Sequence, residues 1–153
     1  MISQEEFAAL LPLACSWAEE QERGILKHGV PLTPALLADA RRVGIRQPEK
    51  VRLRVMDEIP WPTHPQLRKA AELTGLISPL TSGLSLRYGI WIRADHWGER
   101  RLVVHELVHT WQYERLGGFS GFLQQYLQEC LTIGYPEAPL EQEAIRIGNE
   151  LCR

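Results

Sequence analysis

An α+β fold, mostly helical with a small antiparallel sheet, is predicted by three features of the sequence. Several stretches carry apolar residues at helical spacing between clear start and stop signals. Two short stretches alternate or cluster as strands do. No internal repeat or low-complexity segment interrupts them, and 153 residues that are 44% hydrophobic and 24% charged can bury one sizeable core. The expectation is a single domain over 1–153, with a helical N-terminal part, 1–50, packed on the rest.

The elements follow in order. Ser3 and Glu6 fit a capping box ahead of Phe7, Leu10, Leu11, Ala14 and Trp17, a helical stripe that Pro12 is expected to kink. Thr33-Pro34 is an N-cap and first-turn pair for a helix that Gly44 ends. Val51, Leu53 and Val55 alternate with Arg52, Arg54 and Met56, the period of a strand with one buried face. The segment Pro65 to Leu73 reads as a short helix closed by Gly75, and Leu84 to Arg93 as a second strand in which Gly89 marks a bulge or close approach. Helices are expected from Glu99 to Arg115, ended by Gly117-Gly118, from Phe119 to Ile133, and from Pro139 to about Leu151.

Seventeen Lys and Arg against nineteen Asp and Glu leave a formal charge of −2, so no overall basic field points to nucleic acid or an anionic membrane. Glu5 and Glu6 stand where a secretory leader would be positive, and no apolar run is long enough to span a bilayer; a cytoplasmic location is the expectation. Cys15, Cys130 and Cys152 are odd in number and lack C-x-x-C spacing, which favours reduced thiols over a disulfide framework.

His105-Glu106-Leu107-Val108-His109 is H-E-x-x-H on a predicted helix. Positions i and i+4 project from one face a turn apart, so two imidazoles can share one zinc ion. Glu106 lies about 100° round the helix from His105, outside the ligand set yet close enough to serve as general base. Chance alone would produce the pattern about 0.02 times in a chain of this composition. Catalytic zinc takes three protein ligands as a rule, so a third is owed. No histidine follows His109, and Gln112 and Arg115 stand where the long metzincin signature needs Gly and His. The candidates are Glu129, Glu141 and Glu143, with His96 a further option. Leu140, Ala144, Ile147 and Leu151 form the apolar stripe of the last helix, and Glu143 falls on it, so Glu143 is favoured. Glu129 shares a face with Phe122, Tyr126 and Ile133 and is its main rival.

His105, Glu106 and His109 resemble, residue for residue, the zincin metallopeptidases of the gluzincin type, in which a Glu on a later helix completes the site. HELVHTWQY from His105 to Tyr113, with PLEQEA from Pro139 to Ala144, looks like small bacterial metallopeptidase domains in which the Glu before Ala, here Glu143, is the implied ligand. The resemblance covers roughly residues 84 to 147. It implies a minimal zincin-like domain, an active-site helix, Zn2+, and a peptide or protein substrate that pairs with an edge strand such as Leu84 to Arg93. Ile147 stands where thermolysin-like relatives carry an Asp, which sets this chain apart from them.

The expected activity is hydrolysis of a peptide bond, with Glu106 accepting the proton and Tyr113, Tyr126, Tyr135 or His96 available to stabilise the oxyanion. Asp95, Asn149 or a backbone carbonyl could orient the histidines, and Gln112, one turn after His109, could line the site. Trp91, Trp97 and Trp111 read as core aromatics. The competing readings are a non-catalytic module or former enzyme stabilised by zinc, and a metal-free helical interaction protein.

Overall fold

The structure, a computed structural model, describes residues 2–153. Helix α1, Gln4–His28, begins where the Ser3 hydroxyl accepts a hydrogen bond from the Glu6 amide at 3.1 Å, and it runs unbroken through Pro12. Thr33 caps α2, Pro34–Val43, in the same way, and Gly44 closes it with φ 107°, a left-handed conformation that favours glycine. The remaining helices are α3 (Pro65–Thr74), α4 (Arg100–Arg115), α5 (Phe119–Thr132) and α6 (Pro139–Leu151).

Four strands, β1 (Val30–Pro31), β2 (Arg52–Met56), β3 (Gly83–Leu86) and β4 (Gly89–Arg93), form one sheet in the order β1-β2-β4-β3. The sheet is mixed, which corrects the antiparallel expectation: β1–β2 and β4–β3 are antiparallel, but β2 and β4 run parallel. Parallel neighbours need a long crossover, and the 57–88 segment, with α3 and β3, supplies it. The expected single strand from Leu84 to Arg93 is a two-strand hairpin turning at Arg87-Tyr88, with Arg87 at φ 65°. Its cause lies far off in sequence. Buried Glu22 of α1 accepts from the Arg87 guanidinium at 2.8 and 2.7 Å and from the Tyr88 amide at 3.0 Å, and the Thr110 hydroxyl of α4 donates to the Arg87 carbonyl.

The period of β4 sends alternate residues to two cores. Ile90 and Ile92 join Val51, Leu53, Val103 and Leu107 between the sheet and the α2/α4 layer. Trp91 joins the α1 and α5 side with Leu10, Ala14, Ile25, Phe122 and Leu123. Full burial of an aliphatic side chain such as Ile90 or Leu107 contributes about 1.5 to 3 kcal/mol, and both are wholly inaccessible. Helix α4 therefore has the sheet on one side and α6 on the other. Trp97, expected in the core, is 49% exposed, because it follows the short 3-10 turn Ala94–His96 outside both layers. Cys15, Cys130 and Cys152 are free thiols, and no helix among the described residues is long and apolar enough to cross a membrane.

Gly89 marks a close approach. A Cβ there would sit 3.0 Å from Cβ of Ile25 and 3.2 Å from two more Ile25 carbons, so α1 lies directly against the hairpin. Gly89→Ala is expected to cost about 1 to 3 kcal/mol through overpacking, read from the urea midpoint; an unchanged midpoint would show that α1 does not press on β4.

Candidate functional site

Helix α4 presents three kinds of surface. Val103, Val104, Leu107 and Val108 are buried among apolar neighbours, Glu106 and Thr110 turn toward β3, and His105 and His109 turn toward α6. The two imidazole rings meet edge to face with centroids 5.0 Å apart. Their Nε2 atoms converge on one carboxylate, Glu141 of α6, at 2.7 Å from His105 to Oε1 and 3.0 Å from His109 to Oε2. One ligand atom from each of His105, His109 and Glu141 lies within 4.8 Å of the others, and this trio could hold a metal ion.

The expected third partner, Glu143, is elsewhere. Its Oε1 accepts from Gln112 at 2.8 Å and from Arg115 at 3.0 Å, on the flank of α4. The reason is the rotation of α6. Its most buried positions are Leu140, Glu141, Ala144 and Gly148, and Gly148 faces the backbone of His105, where an added Cβ would make an ordinary contact 3.8 Å from the His105 Cα. Small residues, not Ile147 and Leu151, mark the contact face, and Glu141 is on it. Glu129, the rival on α5, instead caps the start of α6 by accepting from the Leu140 amide at 2.8 Å. His96 pairs with Glu99, and Asp95 with Arg93.

The supports of the trio come from α5 and α4. The Tyr126 hydroxyl donates to Oε2 of Glu141 at 2.8 Å. Gln112, fully buried, places its amide oxygen 2.8 Å from Nδ1 of His109 while its NH2 donates to the Leu140 carbonyl and to Glu143. With both amide hydrogens committed, the Gln112 oxygen is the acceptor, so Nδ1 of His109 carries a proton and Nε2 is the atom directed at Glu141. The helix spacing flagged Gln112; the pairing of Tyr126 with Glu141 had no signal in the sequence.

Electrostatics divide the two buried glutamates. Burial works to raise Glu141, but the hydrogen bonds and charge of His105 and His109 hold its carboxyl well below the usual carboxylate range. Burial likewise works to lower His109, yet Glu141 pushes it up to about 9. Glu106 goes the other way: burial first, and then the charge of Glu141, raise its carboxyl, against the pull of the two histidines and the Ser85 backbone N–H. It is 5% exposed and adjoins the glycine of β3, where a Cβ on Gly83 would lie 3.3 Å from its Oε2.

His105, Glu106, His109, Tyr126 and Glu141 open onto one cavity of about 670 Å³, lined also by α1, α3, β3 and α5. Its size falls in the range of about 300 to 1,000 Å³ found for small-molecule sites. Comparison with protein-family models, with curated proteins and with solved structures finds no match to the chain in any of the three.

In protein stripped of divalent metal, His109 stabilises the fold fully below its ordinary value of 6.5, and that contribution is lost as pH rises through about 9. Glu141 stabilises it above its ordinary value of 4.5, a contribution lost as pH falls. Glu106, raised from its ordinary value of 4.5, adds a loss of stability that begins as pH rises past 4.5. Denaturant midpoints of chelator-treated protein should therefore peak on the acid side of neutrality and fall toward pH 9. A midpoint that climbs from pH 6.5 to 9 would refute the His109–Glu141 pairing.

Proposed function

We propose that the chain is a zinc-dependent hydrolase, most specifically a metallopeptidase, with zinc held by Nε2 of His105, Nε2 of His109 and a carboxylate oxygen of Glu141. The observation that carries this reading is the convergence of two imidazoles and one carboxylate at the wall of a cavity, beside a second carboxylate that stands outside the trio. Two imidazoles and a carboxylate are a donor set suited to zinc, and three protein donors facing open space match a catalytic site better than a closed structural one with four. A zinc ion there would acidify water and polarise a carbonyl.

The chain's own residues account for the remaining requirements. Glu106, outside the trio but beside it on the cavity wall, accepts a proton from the attacking water and delivers it to the leaving amine. Gln112 holds His109 in the tautomer that leaves Nε2 free to bind, and Tyr126 holds Glu141. Of the four oxyanion candidates, Tyr113 donates to the Ser85 carbonyl, Tyr126 to Glu141, and His96 pairs with Glu99. That leaves Tyr135, on the cavity wall, where packing around its hydroxyl and the charges of Glu141 and Glu106 keep it protonated and able to donate. Strand β3 is an edge of the sheet and also lines the cavity, so a peptide main chain can pair with it.

Two predictions test the assignment. Zinc titration of the metal-depleted protein should give one ion per chain; Glu141→Gln should weaken binding by more than the roughly 10- to 100-fold that loss of a supporting hydrogen bond costs, whereas Glu143→Gln should stay within that range. Equal losses from both substitutions would remove Glu141 from the ligand set. Glu106→Gln should keep the ion by elemental analysis yet lower hydrolysis of a responsive peptide, found by mass spectrometry of a digested peptide library, by about 10²- to 10⁴-fold. Undiminished turnover would mean that another group is the base.

A further inference from the structure

The cavity is far larger than the reacting groups need, and its chemistry is uneven. Titratable side chains gather on the wall made by α4 and α6. The opposite side is built by Leu10 and Ala14 of α1, Ala70 and Ala71 of α3, and Leu123 and Leu127 of α5. Three of the polar side chains on that side and its floor, Thr74, Thr81 and Ser85, are already engaged with the protein. The Thr74 hydroxyl donates to the Ala70 and Ala71 carbonyls at 2.9 and 3.2 Å. Thr81 Oγ1 accepts from the Ser78 amide and faces the Leu76 carbonyl, and Ser85 Oγ meets Thr110 Oγ1 at 3.2 Å.

A polypeptide backbone that left β3 and ran on into the chamber between α1, α3 and α5 would bury amide groups with few partners, at a cost of about 1 to 3 kcal/mol each. A hydrocarbon chain has no such groups and gains from every methylene it buries. About 670 Å³ corresponds to roughly twenty water-sized volumes, too much for one small side chain.

Resting on the hydrolase reading above, we propose that the substrate is an amide bearing a long, unbranched apolar acyl chain, which fills the chamber between α1, α3 and α5 while the amide lies against His105, Glu106, His109 and Glu141. The chamber is then a chain-length gauge, and the short residues Ala14, Ala70 and Ala71 set its width.

The test uses binding rather than turnover, so it does not depend on the metal. N-acylglycinamides from butanoyl to decanoyl are titrated into metal-depleted wild-type protein and into Glu106→Gln. Affinity should rise about fourfold per added methylene until the chamber is full. Ala70→Phe and Leu127→Trp narrow it from two different helices; whichever gives a cooperative thermal melt should bind the decanoyl compound at least tenfold more weakly and the butanoyl compound as wild type does. Affinity that is flat with chain length, or folded narrowed variants that bind the decanoyl compound like wild type, would overturn the proposal. Chain-length-dependent binding in a protein that hydrolyses nothing would uphold the chamber and remove the hydrolase reading; hydrolysis of short peptides with flat acyl binding would do the reverse.

Discussion

The close crossing of α4 and α6 governs the chemistry of the molecule, because it brings a carboxylate between two imidazoles in a place nearly shut off from solvent. An isolated buried carboxylate would cost several kcal/mol. Glu141 is tolerated because His105, His109 and Tyr126 together satisfy both of its oxygens. Small side chains on the buried face of α6, Ala144 and Gly148, leave room for this crossing. A bulky residue at either position would hold the helices apart and separate the carboxylate from the rings. The same interface engages Gln112, whose bonds to Leu140 and Glu143 tie the orientation of His109 to the seating of α6.

Two glutamates in one cavity are driven in opposite directions by this arrangement. Glu141 touches both imidazoles directly and is held ionised; Glu106 is buried beside β3, farther from compensating partners, and its carboxyl is raised. Divergent environments for like groups are the usual basis for dividing labour between an anionic ligand and a proton carrier. The division follows from helix geometry: residues one apart on α4 point about 100° from each other, so His105 faces α6 while Glu106 faces the sheet edge. Gly83 is what admits Glu106 there, since a side chain on β3 at that point would crowd its carboxylate.

What was legible in the sequence was what is local. The pair His105 and His109, the caps at Ser3 and Thr33, and the stop at Gly44 depend on spacing within one helix, and the structure has them as read. The third member of the trio depends on how α6 is rotated against α4. Reading its buried face from Leu140, Ala144, Ile147 and Leu151 weighted large apolar residues and selected Glu143; the nearest contact is made by the small ones, and the pattern Glu141-x-x-Ala144-x-x-x-Gly148 was the available signal. The hairpin turn at Arg87-Tyr88 carries none of the usual turn residues. Its conformation is imposed by Glu22 and Thr110, remote in sequence, and so the two strands read as one. The parallel pairing of β2 with β4 was equally hidden, because alternation reports a buried face and not strand direction.

The N-terminal helix gains a role from this geometry that its sequence did not announce. Its apolar stripe reads as ordinary core, and Ile25 at one end does pack directly against β4. Nearer the start, Leu10 and Ala14 contribute both to the core and to the wall of the cavity that reaches His105 and Glu106. A fold shaped for stability alone would close that volume, since unfilled apolar space forfeits dispersion contacts on every lining atom. Leu or Phe in place of Ala14 or Ala71 would be the simplest way to fill it. That alanines stand there instead leaves open space beside His105, His109 and Glu141 where packing would otherwise be gained. The first half of the chain therefore walls the space in front of the histidines, while the second half supplies His105, Glu106, His109 and Glu141.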